Sequence, residues 1–361
     1  MPASAKVHMV KGPAKVGVDG ACHVLGSDVS GQAIKVRAGK ALPFEPSSRC
    51  KLRARLGRGG RMWLADPAEA GTSMWHDIAR QVSAPAEKKI VMLAGDTDTG
   101  KSTFSAYLAN VALSRQLVPC IIDGDIGQGD LEPPASIGAA ALSGPVTDLR
   151  DTRASLFEFV GDISPVGFER LVTKKLRFIL DRAGPLGDII IVNTDGYVRD
   201  AGVEYKLMIA KELQPDVIVC LGENPALLKA LGDGPWQVLL ARASSQASKS
   251  RFERTSGRLD QFLRHVGRGS SAVELRHLMF EYAEMLFSPS ELHQPPIKQL
   301  EQQNLKRMFV GLGSGDRCTG FGIVTGITSS IIRVQTNIDY FDRVYLSNIR
   351  LDTRRAVEIR F

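Results

Sequence analysis

Long apolar runs are missing from this 361-residue chain: no stretch approaches the roughly 20 consecutive apolar residues of a membrane span, so no membrane partner is expected. Cysteine is sparse as well. Cys22, Cys50, Cys120, Cys220 and Cys318 lie far apart and form no CxxC or Cys/His group, which excludes a disulfide framework and a zinc site. Lys6, Lys11 and Lys15 are not followed by an apolar block with a cleavage site, so no secretory signal is expected and the protein is expected to stay in the cytoplasm. Internal repeats and low-complexity tracts are absent. What remains is ordinary, with 43% apolar and 24% charged residues in a length that predicts two or three domains.

Charge is unevenly spread. Residues 1–61 hold twelve Lys/Arg against three Asp/Glu, an electrostatic footprint for a polyanion such as a phosphodiester backbone. Within them, alternating patches at 33–37 and 51–56 read as strands of a small N-terminal β domain, expected over 1–72. A short helix over 74–83 is expected to end ahead of Pro85. Between Lys88 and Gly222 apolar strands (Lys89 to Ala94, Val118 to Asp123, Ile189 to Asn193, Val217 to Leu221) alternate with helical patterns. That alternation predicts an α/β core with a parallel sheet, over about 73–290. Residues 242–268 carry seven Lys/Arg against two Asp/Glu on helical sequence. Beyond Ser288-Pro289 and Pro295-Pro296, alternation such as Ile331 to Thr336 predicts a C-terminal β domain over 300–361.

Gly95-Asp96-Thr97-Asp98-Thr99-Gly100-Lys101-Ser102-Thr103 fits the P-loop pattern G-x-x-x-x-G-K-[ST] between a strand and a helix. Glycines let successive backbone N–H groups point at phosphate oxygens, the helix N-terminus adds its dipole, Lys101 reaches the β and γ phosphates, and Ser102 is positioned to ligate Mg²⁺. One helix and one strand later, Asp123 and Asp125 have same-face spacing at a strand end, and either one suits Mg²⁺ or the proton of an attacking hydroxyl. ATP or GTP with Mg²⁺ is therefore the expected ligand of a P-loop NTPase core.

Several separated motifs resemble those of the polynucleotide 5′-hydroxyl kinases, the family of the messenger-RNA cleavage-factor kinase subunit, the ribosomal-RNA processing kinase and archaeal relatives. The phosphate loop is similar, as is Asp125-Ile126-Gly127-Gln128 to the family's D-x-G-Q element, with Pro133-Pro134 and Ile137-Gly138 following. Asn193-Thr194-Asp195-Gly196-Tyr197 resembles its T-x-G-W clasp, with Tyr197 in place of the tryptophan. The stretch around Arg251, Arg254 and Arg258 resembles its arginine-bearing lid, and Gly320-Phe321-Gly322-Ile323 its small C-terminal β domain. The resemblance covers about Ser73 to Phe262 closely and the flanking β domains loosely.

It implies a kinase acting on the 5′-hydroxyl end of RNA or single-stranded DNA, with RNA-processing proteins as possible partners. In it Asp125 orients or deprotonates the hydroxyl, and one of the three lid arginines touches the transferred phosphoryl group. Thr194 and Gly196 hold the terminal phosphodiester and Tyr197 packs beside a sugar or base, although Asn193-Thr194-Asp195-Gly196 reads equally as a strand-end turn; Gln128, Pro133 and Pro134 shape the substrate groove or turn the chain. Two other readings use the same loop: a small-molecule ligase of the dethiobiotin synthetase type, and an assembly factor in which the nucleotide is only a clamp.

Overall fold

The computed structural model describes residues 6–84, 88–243, 249–352 and 357–360. Pro85, part of the basic stretch at 242–268 and the extreme ends of the two expected β domains lie outside them. The chain divides into two compact units, Met1–Asp125 with Gly138–Leu156 and Leu176–Arg254, and Ile126–Ile137 with Phe157–Lys175 and Thr255–Phe361. Among the described residues no helix is long and apolar enough to cross a membrane.

In the first unit the N-terminal residues form two antiparallel sheets. One has five strands in the order Ser27–Asp28, Cys22–Val24, Ala41–Pro46, Val7–Lys11, Arg61–Ala65, and the other sets Ala14–Asp19 between Ala33–Val36 and Lys51–Leu56. Alternation drives both: along Ala14–Asp19, residues Ala14, Val16 and Val18 are buried while Lys15 and Asp19 face water.

The central sheet has seven strands in the order Leu156–Phe159, Ser136–Ala141, Pro119–Gly124, Ile189–Thr194, Lys89–Gly95, Val217–Leu221, Gln237–Ala241. The run from Pro119–Gly124 to Gln237–Ala241 is parallel. Its inner strands are buried at nearly every residue, as expected of strands covered on both faces. Ser136–Ala141 differs from the all-parallel expectation by pairing antiparallel with Pro119–Gly124. The physical reason is the connection: no crossover helix lies between these two strands, and only a crossover returns the chain in the parallel sense.

In the second unit a seven-stranded sheet runs in the order Ser270–Glu274, Ile331–Gln335, Arg317–Ile327, Phe309–Ser314, Arg343–Tyr345, Met279–Tyr282, Met285–Phe287. Strands on both sides of Pro289 and Pro295-Pro296 therefore share one sheet, and this β region gathers its first strand at Ser270, ahead of the proline-rich stretch. An aromatic core of Phe159, Phe262, Phe309, Phe321 and Tyr345 packs with Leu259 and Val266 of the helix Arg251–His265.

The first unit's N-terminal strands are tied to its core by Asn110 on the helix Lys101–Ser114. The buried Asn110 Nδ2 donates to the carbonyls of Leu25 and Val146, both at 2.8 Å, and its Oδ1 accepts from Val146 N at 2.8 Å. Asn110→Ala strands the buried Leu25 carbonyl and the half-buried Val146 amide and carbonyl, and a buried group left unpaired costs about 1–3 kcal/mol. Urea unfolding should show a loss of about 3 kcal/mol with an unchanged m value, the urea dependence of stability.

Candidate nucleotide and polynucleotide site

The loop from Gly95 to Gly100 joins the strand Lys89–Gly95 to the helix Lys101–Ser114. It makes a tight curl, with Asp98 at φ 62° and Gly100 at φ 94°, the second a left-handed conformation natural only to glycine. Lys101, the first residue of the helix, folds back so that Nζ donates to the carbonyl oxygens of Gly95 (2.9 Å) and Asp96 (2.7 Å). An ammonium has three donors, so this grip leaves one for a phosphate oxygen. Burial pushes the Lys101 pKa down to about 8, against the opposing field of Asp125.

Beside the loop, Asn193 on the strand Ile189–Thr194 donates from Nδ2 to Asp123 Oδ1 (2.9 Å) and to Ser102 Oγ (3.4 Å). Asp123 Oδ1 also accepts from Asp125 N at 3.3 Å. The Asn193 Oδ1 is buried with no hydrogen-bond partner. The Asn193 amide nitrogen thus ties the Ser102 hydroxyl to the Asp123 carboxylate, and these two hard oxygen donors suit Mg²⁺ and its waters. Among the described residues no three acidic, His or Cys side chains gather into a metal cage. Asn193 enters the sequence reading only as the first residue of the Asn193–Tyr197 motif, and its strand-end position beside the acidic strand is the signal for its place here.

The Thr194–Tyr197 turn lies directly against the phosphate loop. A Cβ on Gly196 would stand 2.3 Å from Thr97 Oγ1 and 2.6 Å from Thr97 N, so only glycine admits this approach. The turn is held from beneath by Asp195. Its Oδ1 accepts from Lys206 Nζ (2.8 Å) and from Tyr197 N (2.8 Å), and its Oδ2 from Tyr205 OH (3.1 Å). Lys206 is fully buried, and that desolvation lowers its pKa while Asp195 opposes the shift. Lys206 is not among the residues singled out from sequence, and Asp195 enters there only inside the Asn193–Tyr197 motif, with no role of its own. The available signal was a lysine on the apolar face of the helix Ala201–Leu213, which also buries Tyr205, Ile209 and Leu213.

Thr194 differs from its expected role. It is completely buried and its hydroxyl donates to Leu93 O at 2.7 Å, so its side chain secures the strand end. Tyr197 is half-buried with its ring 6.1 Å from that of Tyr205, leaving an exposed edge.

Of the lid arginines, Arg254 is brought to the loop, its guanidinium 2.7 Å from Asp98 Oδ2, which also accepts from Lys249 N at 3.0 Å. Arg251 is exposed at the first residue of the helix. Arg258 belongs to the second unit, where its Nε donates to Glu358 at 2.8 Å. Gln128, Pro133 and Pro134 also belong to that unit. Gln128 Nε2 donates to Gly127 O (3.0 Å), whereas Pro133 and Pro134 are buried and so shape the loop from within. The same loop is held by Gln261, whose Nε2 donates to the carbonyls of Gly129 (3.3 Å) and Asp130 (3.2 Å).

The family described as mRNA cleavage and polyadenylation factor CLP1 P-loop matches residues 95–264. A polyribonucleotide 5′-hydroxyl-kinase of Pyrococcus horikoshii is 30% identical over 279 residues, 76% of either chain. Its counterpart from Pyrococcus abyssi is 31% identical over 268 residues, 72% of this chain and 74% of that protein. Clp1p solved in complex with Pcf11p is 14% identical and has a TM-score of 0.73 over 97% of this chain and 95% of that one, a likeness of fold.

Two outcomes test the turn. Gly196→Ala forces its Cβ against the Thr97 backbone, an overpacking cost of about 1–3 kcal/mol, so nucleotide affinity by calorimetry should fall about tenfold or more. Lys206→Met leaves the Asp195 carboxylate buried without its cation and should cost about 3–5 kcal/mol in urea unfolding. Adding Asp195→Asn to Lys206→Met should recover much of that loss.

Proposed function

Because this chain belongs to the family of the polyribonucleotide 5′-hydroxyl-kinases and CLP1 proteins, we propose that it transfers the γ-phosphoryl group of ATP to the 5′-hydroxyl end of RNA. The observation that carries this reading is the seating of the Thr194–Tyr197 turn on the phosphate loop, with Gly196 against Thr97. A terminal phosphodiester held by that turn has its 5′-hydroxyl beside the bound phosphates.

The backbone N–H groups of the loop and Lys101 bind the β and γ phosphates. Ser102 and Asp123, held together by the Asn193 amide nitrogen, are the residues to hold Mg²⁺, which when bound neutralises charge on the phosphate oxygens. The 5′-hydroxyl oxygen attacks the γ-phosphorus in line, its proton passes to Asp125, and the bond to the β–γ bridging oxygen breaks to release ADP. Arg254 stabilises the transferred group once it exchanges Asp98 for phosphate oxygens. Gly196 N–H and the Tyr197 ring grip the substrate end.

The test is transfer of labelled γ-phosphate to RNA and DNA oligonucleotides bearing a 5′-hydroxyl or a 5′-phosphate. Label should appear on 5′-hydroxyl RNA ends alone. Lys101→Ala should abolish it, and Asp125→Asn should lower kcat by about 10²–10⁴-fold, the usual worth of a general base. Arg254→Ala should lower kcat more than Arg251→Ala, by up to about 10³-fold. Transfer that survives in both Lys101→Ala and Asp125→Asn would refute the assigned roles.

A further inference from the structure

The three-stranded sheet of the N-terminal region carries a feature that phosphoryl transfer does not use. Its inner face is buried through Val16, Val18, Ile34 and Val36. On its outer face Lys15 stands in register between Lys35 on one neighbouring strand and Arg55 on the other. One step along, Gly17 stands between Ala33 and Arg53, and beyond it Asp19 opposes Lys51. All five basic side chains are exposed. The single acid, Asp19, lies 3.5 Å from Arg53, an exposed contact of little strength. Lys15, Lys35, Lys51 and Arg55 make no ion pair among the described residues.

Directly opposed like charges on a sheet are destabilising, and ordinary sheets pair opposite charges at such positions. Three cations in one cross-strand row therefore weaken the free protein, and an anion lying over them relieves the repulsion. The centre of the face is Gly17 and Ala33, which leave the surface flat and let a strand approach the backbone. The face has no aromatic or aliphatic anchor. A stable protein interface needs such a desolvated apolar centre, whereas a phosphodiester backbone needs only clustered positive charge.

We propose that this face binds the phosphodiester backbone of single-stranded RNA, holding the body of the substrate away from the end that reacts. The identity of the strand as a substrate rests on the kinase reading; the polyanion-binding face does not.

The experiment uses the full chain and the triple variant Lys15→Gln, Lys35→Gln, Arg55→Gln. Binding of a labelled 5′-hydroxyl RNA 20-mer is followed by anisotropy across a salt series, and transfer to the 20-mer and to a 4-mer is followed by KM. Each phosphate contact removes about 0.7 from the slope of log affinity against log salt for a single strand. Loss of three should flatten the slope by about 2 and weaken binding at low salt about tenfold. The KM should rise for the 20-mer and stay unchanged for the 4-mer. The melting temperature should hold or rise, because the substitutions remove repulsion, and this separates lost binding from lost folding.

An unchanged slope and 20-mer affinity in the triple variant would overturn the proposal, as would be seen if the face served an acidic protein instead. An equal rise in KM for both lengths would overturn it too, by pointing to the reactive end. If the wild-type chain bound the 20-mer through this face and transferred no phosphate, the kinase reading would fail and the face would stand.

Discussion

A loop that reserves its backbone N–H groups for phosphate cannot use them to hold its own shape. Between Gly95 and Gly100 the chain has neither ladder nor helix, and the restraint comes from carbonyls and side chains instead. Lys101 clamps the carbonyls of Gly95 and Asp96, and Thr99 Oγ1 donates to Asp96 O at 2.9 Å. The two carboxylates of the loop reach outward, Asp98 to Arg254 and Lys249 N, and Asp96 to Arg199, whose Nη2 lies 2.9 Å away. None of these bonds draws on a backbone N–H of the loop, as anion binding at a helix N-terminus requires, although Thr97 N donates to the neighbouring Asp96 Oδ1 at 2.7 Å.

The same restraint explains why acidic residues stand in a loop built for an anion. Asp96 and Asp98 are repelled by phosphate, and each is paired with an arginine, Asp98 with the half-buried Arg254 and Asp96 more weakly with the exposed Arg199. Arg199 follows the Thr194–Tyr197 turn and Arg254 lies in the first turn of the helix Arg251–His265, so both elements contribute to the loop's charge balance. Chemistry and scaffold are thereby coupled through ion pairs that an incoming phosphate can compete for.

What could be read from sequence follows the range of each interaction. The phosphate loop, its flanking strand and helix, and the acidic strand end are set by contiguous residues, and all appear where the pattern predicts, with the helix at Lys101–Ser114 and the strand at Pro119–Gly124. The basic lid is legible as charge, but which arginine meets the loop is settled by the tertiary pairing of Arg254 with Asp98. Partner choice escapes the pattern again at Ser136–Ala141, whose apolar run fits either strand direction. Burial escapes it at Thr194, because a threonine at a strand end serves a ligand or its neighbouring strand equally well. The Asp195–Lys206 pair lies in the same blind spot, since eleven residues of separation hide a contact made only after the helix docks. The short P-loop likeness to dethiobiotin synthetase rested on five contiguous residues, whereas family membership draws on motifs spread across the core.

Burying Lys206 with Asp195 is a costly way to hold a turn, because two desolvated charges rarely stabilise more than apolar side chains of the same volume. Its return is geometric. A carboxylate that accepts from Lys206, Tyr197 N and Tyr205 OH fixes the turn from three directions, and an apolar contact has no comparable direction. Gly196 has no side chain to set its own distance from Thr97, so that distance must be imposed from below. The pair is thus the counterpart of the clamp made by Lys101: there a buried ammonium binds backbone carbonyls directly, and here one fixes the turn through the carboxylate of Asp195.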